Sequence, residues 1–228
     1  GTIEDYFEQH IMEKYPYKRI VEGQAVNGKD ILDAVKTLLR MSVDVANIGE
    51  VRDGNALFAF IQLVQSVSVA AWFTTHITNP ETTVPRLKNM LIGTGRYFSE
   101  QSAIMDIVHY INMIFQHEIR DGRITITKVV EIVPLVAVSS DAEYDIATSA
   151  EQLEKLFYIQ QLRSNPYNMF RLNTIMQSAD GKAKFVNYPS RRMVEKAKGD
   201  SHSWEYLKKL IRLIEMDTGM DIPEYARG

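Results

Sequence analysis

The chain has 228 residues, 26 Lys and Arg against 29 Asp and Glu, a formal net charge of −3 and no cysteine. Its length makes one large domain or two small ones, and its near-neutral charge excludes a nucleic-acid binder driven by bulk charge. The missing thiols exclude disulfides, cysteine nucleophiles and Cys-based zinc or iron–sulfur sites, and they fit a reducing compartment.

The first two thirds alternate strand-like and helix-like segments, the pattern of an α/β sheet with crossover helices. Lys18–Glu22 reads as a short strand closed by Asn27 and Gly28, and Ile31, Val35, Leu38 and Leu39 then repeat at helical spacing. Val43–Ile48 is a β-rich run ending in Gly49-Glu50. Leu57, Phe60, Ile61 and Val64 form the next amphipathic stripe. Val67–Thr75 reads as a strand buried on both faces, and Pro85 as an early-helix proline. Ile104, Ile107, Val108 and Ile111 mark a further helical face. Ile111–Ile119 and Arg123–Val133 are strand-like and flank Asp121-Gly122, a strong hairpin signal.

The character changes after Pro134. Val136–Asp145 reads as a linker. Ser149 and Gln152 form a capping box for a helix carrying Leu153, Leu156 and Phe157. Asn165-Pro166 is expected to open a second helix with Met169, Leu172 and Met176 on one face, followed by a turn-rich passage at Ala179–Ser190. A last helix is expected over Ser203–Asp217, closed by Gly219 and Pro223. The expected division is therefore an α/β part over 1–135 and a chiefly helical part over 136–228. The least charged stretches, Ala56–Thr75 and Val129–Ser140, are interrupted by Gln, Glu or Pro and do not read as bilayer spans. Gly1–Asp5 lacks the basic-then-apolar pattern of a signal peptide.

The segment with most chemical content is Leu38–Asp53. A strand ending in Gly49-Glu50 puts a carboxylate at the carboxyl edge of a sheet, where open α/β sheets bind ligands. Such an acid can hold Mg²⁺ through water or orient a water toward a γ-phosphate. It can equally be a first-turn acid favoured by the helix dipole. Between Lys182 and Arg212 there are nine Lys or Arg and three Asp or Glu, which reads first as a solvated helical face and otherwise as a contact surface for an acidic partner, nucleic acid or anionic lipid. Tyr167, Phe170, Phe185, Tyr188, Trp204 and Tyr206 among these helices read as core. His10, His109, His117 and His202 lack metal-ligand spacing.

Four pieces occur in an order that resembles the type II/IV secretion ATPase family, most of all its tight-adherence pilus branch. Thr2-Ile3-Glu4-Asp5 with Glu8 is similar to an acidic box. Leu39-Arg40-Met41 and Asp44 lead into Ile48-Gly49-Glu50-Val51-Arg52, similar to a Walker B segment. Thr74-Thr75-His76 resembles a histidine box, followed by Arg86-Leu87. Asp121-Gly122-Arg123 with Val130-Glu131-Ile132 resembles the closing hairpin. The resemblance runs from Thr2 to about Leu135. It implies an incomplete RecA-like P-loop NTPase core with a C-terminal helical region, in a cytoplasmic motor using ATP and Mg²⁺. It implies a homo-oligomeric ring, a hexamer, working at an inner-membrane platform protein in secretion, pilus assembly or conjugation. In that reading Glu50 is the Walker B acid, and Glu4, Asp5 and Glu8 position metal and attacking water. His76 senses the γ-phosphate, Arg40 and Arg52 are charge partners at the nucleotide, and no residue is assigned as a direct metal ligand.

The family's loop Gly-x-x-x-x-Gly-Lys-Ser/Thr is absent from these residues and by the resemblance belongs shortly before Thr2. The expectation is a C-terminal part of a longer motor that does not hydrolyse ATP unaided. The alternative is a non-catalytic assembly module of the same machinery. Further departures are Ser42-Val43-Asp44 for an Arg-Pro-Asp, Ser66-Val67-Ser68 for a Thr-Gly-His, Gln24 for an arginine and Asn55 for a glutamate.

Overall fold

The computed structural model describes residues 1–4, 10–25, 28–41, 43–66, 70–135, 166–179 and 181–227. The chain forms two compact units, Gly1–Tyr110 and Ile111–Gly228.

The first unit is mixed α/β. Its strands β1 (Thr2–Glu4), β2 (Glu22–Gln24), β3 (Val45–Ile48) and β4 (Ala70–Phe73) form one sheet in the order β2-β1-β3-β4. All three pairings are parallel, which requires helical crossovers. The helices are α1 (Ile11–Lys14), α2 (Gly28–Arg40), α3 (Gly54–Ser66), α4 (Thr83–Ile92) and α5 (Glu100–Tyr110). In α2 the stripe Ile31, Val35 and Leu38 is buried, as its i, i+4, i+7 spacing requires. Asp53 opens α3 by accepting the backbone N–H of Asn55 (2.7 Å) and Ala56 (2.9 Å), two donors that a helix start leaves without intrahelical partners. The helix then buries Leu57, Phe60, Ile61 and Leu63, each contributing about 1.5–3 kcal/mol by leaving water. Pro85 occupies the first turn of α4, where its missing N–H breaks no intrahelical bond. Gly54 is required by close packing: a Cβ there would lie 2.0 Å from the carbonyl oxygen of Met90 in α4.

Among its described residues the second unit is one antiparallel sheet with two α-helices. Strands β5 (Met113–Arg120), β6 (Arg123–Pro134), β7 (Phe170–Ala179) and β8 (Lys182–Phe185) lie side by side in chain order. Asp121 and Gly122 join β5 to β6 with φ of 50° and 71°, the positive angles that a two-residue type I′ hairpin demands. Helix α6 (Arg191–Lys198) is capped by Ser190, whose side chain accepts the N–H of Met193 (3.3 Å). Helix α7 (Ser201–Thr218) is capped by Asp200 and ends at Gly219 with φ of 68°. Ile175, Tyr188, Val194, Ile211, Ile214 and Ala226 form the core of this unit, with Trp204 and Leu207 packed against it.

Several expectations are corrected. The expected α-helix after Asn165-Pro166 does not form: Pro166–Met169 makes only a single 3-10 turn. Phe170–Ala179 is β7, paired with β6 through Ile132↔Leu172 and Val129↔Met176. Met169, Leu172 and Met176 satisfy a helical spacing, but Phe170, Leu172 and Thr174 also alternate, and β6 supplies a partner that local periodicity does not reveal. The passage Ala179–Ser190 contains β8. The described C-terminal third is thus sheet and helix, and the compact units divide at Tyr110/Ile111, not near 135. β2 begins at Glu22 instead of ending there. β4 lies at the sheet edge and exposes Ala70 and Trp72 instead of being buried on both faces. Tyr188 is core, as read, whereas Tyr167 and Tyr206 are exposed. The expected linker and the helix after Ser149 lie outside the described residues. Among the described residues no helix is long and apolar enough to cross a membrane.

Candidate functional site

Three neighbouring parallel strands end together. β1 stops at Glu4, β3 at Ile48 and β4 at Phe73, and the register sets Ile3 beside Ile48 and Ile48 beside Phe73. Glu50 therefore follows the carboxyl end of β3, and His76 follows that of β4. The Gly49 N–H donates to the Ile3 carbonyl (2.7 Å). A Cβ at Gly49 would lie 2.9 Å from Glu4 Cγ, so the absence of a side chain at Gly49 lets the turn carrying Glu50 lie against Glu4.

Glu50 Oε2 is 2.6 Å from the Arg52 guanidinium, and Oε1 is 3.2 Å from His76 Nε2. The Glu50 side chain is 18% exposed, against 65% for Arg52 and 90% for His76. A half-buried acid is thus flanked by two groups that reach it from solvent, where water screens each pair to about 1 kcal/mol or less. Two threonines fix the geometry. Thr74 Oγ1 donates to the Gly49 carbonyl, Thr75 Oγ1 donates to the Val51 carbonyl (2.9 Å), and the Val51 N–H donates to the Thr74 carbonyl (2.8 Å).

Glu4 is buried, only 4% exposed. It accepts a hydrogen bond from Thr2 Oγ1 (3.1 Å), which in turn accepts one from Asn47 Nδ2 (3.2 Å). Both partners are themselves buried. Burying these groups without hydrogen bonds would cost several kcal/mol, and the relay offsets that cost.

Glu4, Glu50, Arg52 and His76 thus share the carboxyl edge of the sheet. Arg40 does not join them. It ends α2, which leads into the start of β3, whereas Glu50 follows the end of that strand. Its sequence nearness to Glu50 is undone by a strand length. Asp5 and Glu8 lie outside the described residues. Sequence reasoning missed Asn47 and its bond to Thr2, which depend on strand register. Thr2, Thr74 and Thr75 were visible only as parts of motifs. Carboxylates at adjacent strand ends are hard oxygen donors of the kind Mg²⁺ selects. Among the described residues no group of three or more His, Asp or Glu forms a metal site by itself.

No protein-family model matches the sequence, and no curated protein matches it significantly. Solved structures do match it. The chain is similar to the ATPase DotB of Yersinia pseudotuberculosis at 17% identity, covering 92% of this chain and 48% of that one, with a TM-score of 0.46. It is similar to the pilus retraction motor PilT, solved with bound ADP, at 19% identity over 72% of this chain and 43% of that one, with a TM-score of 0.42. It is also similar to the ATPase DotB of Legionella pneumophila at 13% identity over 99% of this chain and 49% of that one, with a TM-score of 0.42. The chain spans about half the length of the structures it matches, or less.

Proposed function

We propose that this chain is the part of a secretion, pilus-assembly or conjugation motor ATPase that lies after the phosphate loop, with a RecA-like arrangement in its first unit. The observation that carries the reading is the convergence of Glu4, Glu50 and His76 at the carboxyl ends of three adjacent parallel strands, where open α/β sheets bind ligands. Phosphoryl transfer to water needs an acid to orient the nucleophile and positive charge to stabilise the transferring group. Glu50 supplies the first. Arg52 and His76, already at its two oxygens, are placed to turn toward a phosphate. Glu4, with Asp5 and Glu8, is the acidic set for Mg²⁺ and water, and the donor chemistry fits that ion. Bound ATP–Mg²⁺ would supply the phosphoryl group and its neutralising cation.

The sequence holds no Gly-x-x-x-x-Gly-Lys-Ser/Thr cradle, and Glu4 and Glu50 without one repel a polyphosphate unless Mg²⁺ bridges them. Turnover is therefore assigned to a longer chain. It would work as a ring, a hexamer, in the cytoplasm against an inner-membrane platform protein.

The test is a calorimetric titration of the 228-residue chain with ATP–Mg²⁺ beside phosphate release by this chain and by a form extended upstream through a phosphate loop. The short chain should bind weakly and release no phosphate, and the extended form should turn over. In the extended form, Glu50→Gln should lower turnover at least about a hundredfold, the scale of a lost general base, while retaining nucleotide. Tight binding or steady turnover by the short chain would move the nucleotide site elsewhere. An extended form that never hydrolyses would favour a non-catalytic assembly module of the same machinery.

A further inference from the structure

We infer that Thr74 and Thr75 are positioning residues whose hydroxyls hold the turn carrying Glu50 in register with His76. Glu50 sits outside both β3 and α3, so neither a strand ladder nor a helix fixes its peptide. The two carbonyls that bracket it do. Gly49 C=O accepts Thr74 Oγ1, Val51 C=O accepts Thr75 Oγ1, and Val51 N–H returns to Thr74 C=O at 2.8 Å. These bonds lie beyond the ends of β3 and β4 and tie one post-strand turn to the next. His76 follows directly on the two threonines, so the clamp that orients Glu50 also sets where the imidazole begins. The consequence is the 3.2 Å approach of His76 Nε2 to Glu50 Oε1 by a side chain that is 90% exposed. An exposed imidazole has no packing to hold it, and its place is defined through its backbone. Threonine suits the task because its β-branched side chain favours extended backbone while its hydroxyl reaches a carbonyl. Each neutral hydrogen bond of this type changes the ratio of held to released turn by about three- to tenfold.

The functional weight of this clamp rests on the reading of Glu50 as the working acid; the geometry itself does not. The experiment uses the 228-residue chain labelled with ¹⁵N-histidine, with the His76 ring resonances assigned through His76→Gln and all spectra taken at one pH. Glu50→Gln should move the His76 ring resonances. Thr74→Val with Thr75→Val should move them most of the way toward that position. It should also speed exchange of the Val51 amide about fivefold or more, while amides of the β5–β6 hairpin keep their rates. Thr74→Ser with Thr75→Ser restores both hydroxyls and should retain the wild-type signature. Should the double valine variant fail to fold, each single valine variant should give a part of the shift. The inference is overturned if Glu50→Gln leaves His76 unmoved, or if valine at both positions leaves the ring resonances and Val51 exchange at wild-type values. A motor reading that is wrong shows instead in the phosphate-release assay, which these spectra do not depend on.

Discussion

Glu131 tests how the second unit is held together. It is 3% exposed, and its carboxylate takes three hydrogen bonds. Oε2 accepts the Ser190 N–H (2.8 Å) and Asn173 Nδ2 (3.2 Å), and Oε1 accepts Ser190 Oγ (2.6 Å). Burial lowers the pKa of the Arg192 guanidinium, and the Glu131 charge opposes that shift. Glu131→Ala removes the acceptor and strands the donors. Asn173 keeps its bond to the Tyr188 carbonyl (2.9 Å) and Ser190 Oγ keeps the Met193 N–H, so the main losses are the two bonds from Ser190. Bonds to a charged acceptor contribute about 1.5–3 kcal/mol each, and the two from Ser190 set the scale. The expected loss is therefore about 3–6 kcal/mol. Glu131→Gln keeps the shape and one carbonyl oxygen but turns an amide N–H₂ toward a donor, for about 1–2 kcal/mol. The assay is urea unfolding followed by Trp204 emission in a Trp72→Phe background, because Trp204 packs on the core of this unit whereas Trp72 is half exposed in the other. A loss below about 1 kcal/mol for Glu131→Ala, or a glutamine variant as weak as the alanine one, would refute the reasoning.

Gly54→Ala should destabilise the first unit by about 1–3 kcal/mol, the range of overpacking, because its Cβ would meet the Met90 carbonyl oxygen at 2.0 Å; denaturation followed by Trp72 emission measures it, and an unchanged midpoint contradicts the packing. Hydrogen bonds from the Ser203 hydroxyl and N–H hold the Asp200 carboxyl below its ordinary range. A depressed folded value contributes stability above the ordinary Asp pKa that is lost as pH falls through the lowered one. Thermal midpoints at about pH 6 and about pH 3 should therefore diverge more for the wild type than for Asp200→Asn, whose amide still caps α7 but does not titrate. Equal differences would sink this account.

The first unit was largely legible because its elements are local. The stripe of Leu57, Phe60, Ile61 and Val64 announces α3, and a strand ending in Gly49-Glu50 announces an acid at a sheet edge. Two of the expected site side chains, Glu50 and His76, meet because both follow parallel strands, and parallel strands bring like ends together. The same rule places Arg40 and Glu50 apart: five residues before a strand and two after it are opposite ends of the sheet. The β6–β7 pairing was illegible because the two strands lie far apart in the sequence, and a stripe of Met and Leu does not reveal whether an open strand edge awaits it. The Asp121-Gly122 turn was readable without any long-range knowledge, because its two positive φ angles are a property of the dipeptide.

The relay Asn47–Thr2–Glu4 has a consequence for how the first unit finds its alignment. In β1 the residues alternate Thr2, Ile3, Glu4, and in β3 Asn47 is followed by Ile48; all five are buried. Opposite pleats of the same two strands therefore carry opposite chemistries, hydrogen-bonding on one side and hydrocarbon on the other. Sliding β1 past β3 by a single residue would drive the Glu4 carboxylate among isoleucines and strand Asn47 without its hydroxyl partner. Three-residue strands offer few ladder bonds with which to choose between alignments. Here the side chains make the choice, and they reject a slipped sheet before it can compete.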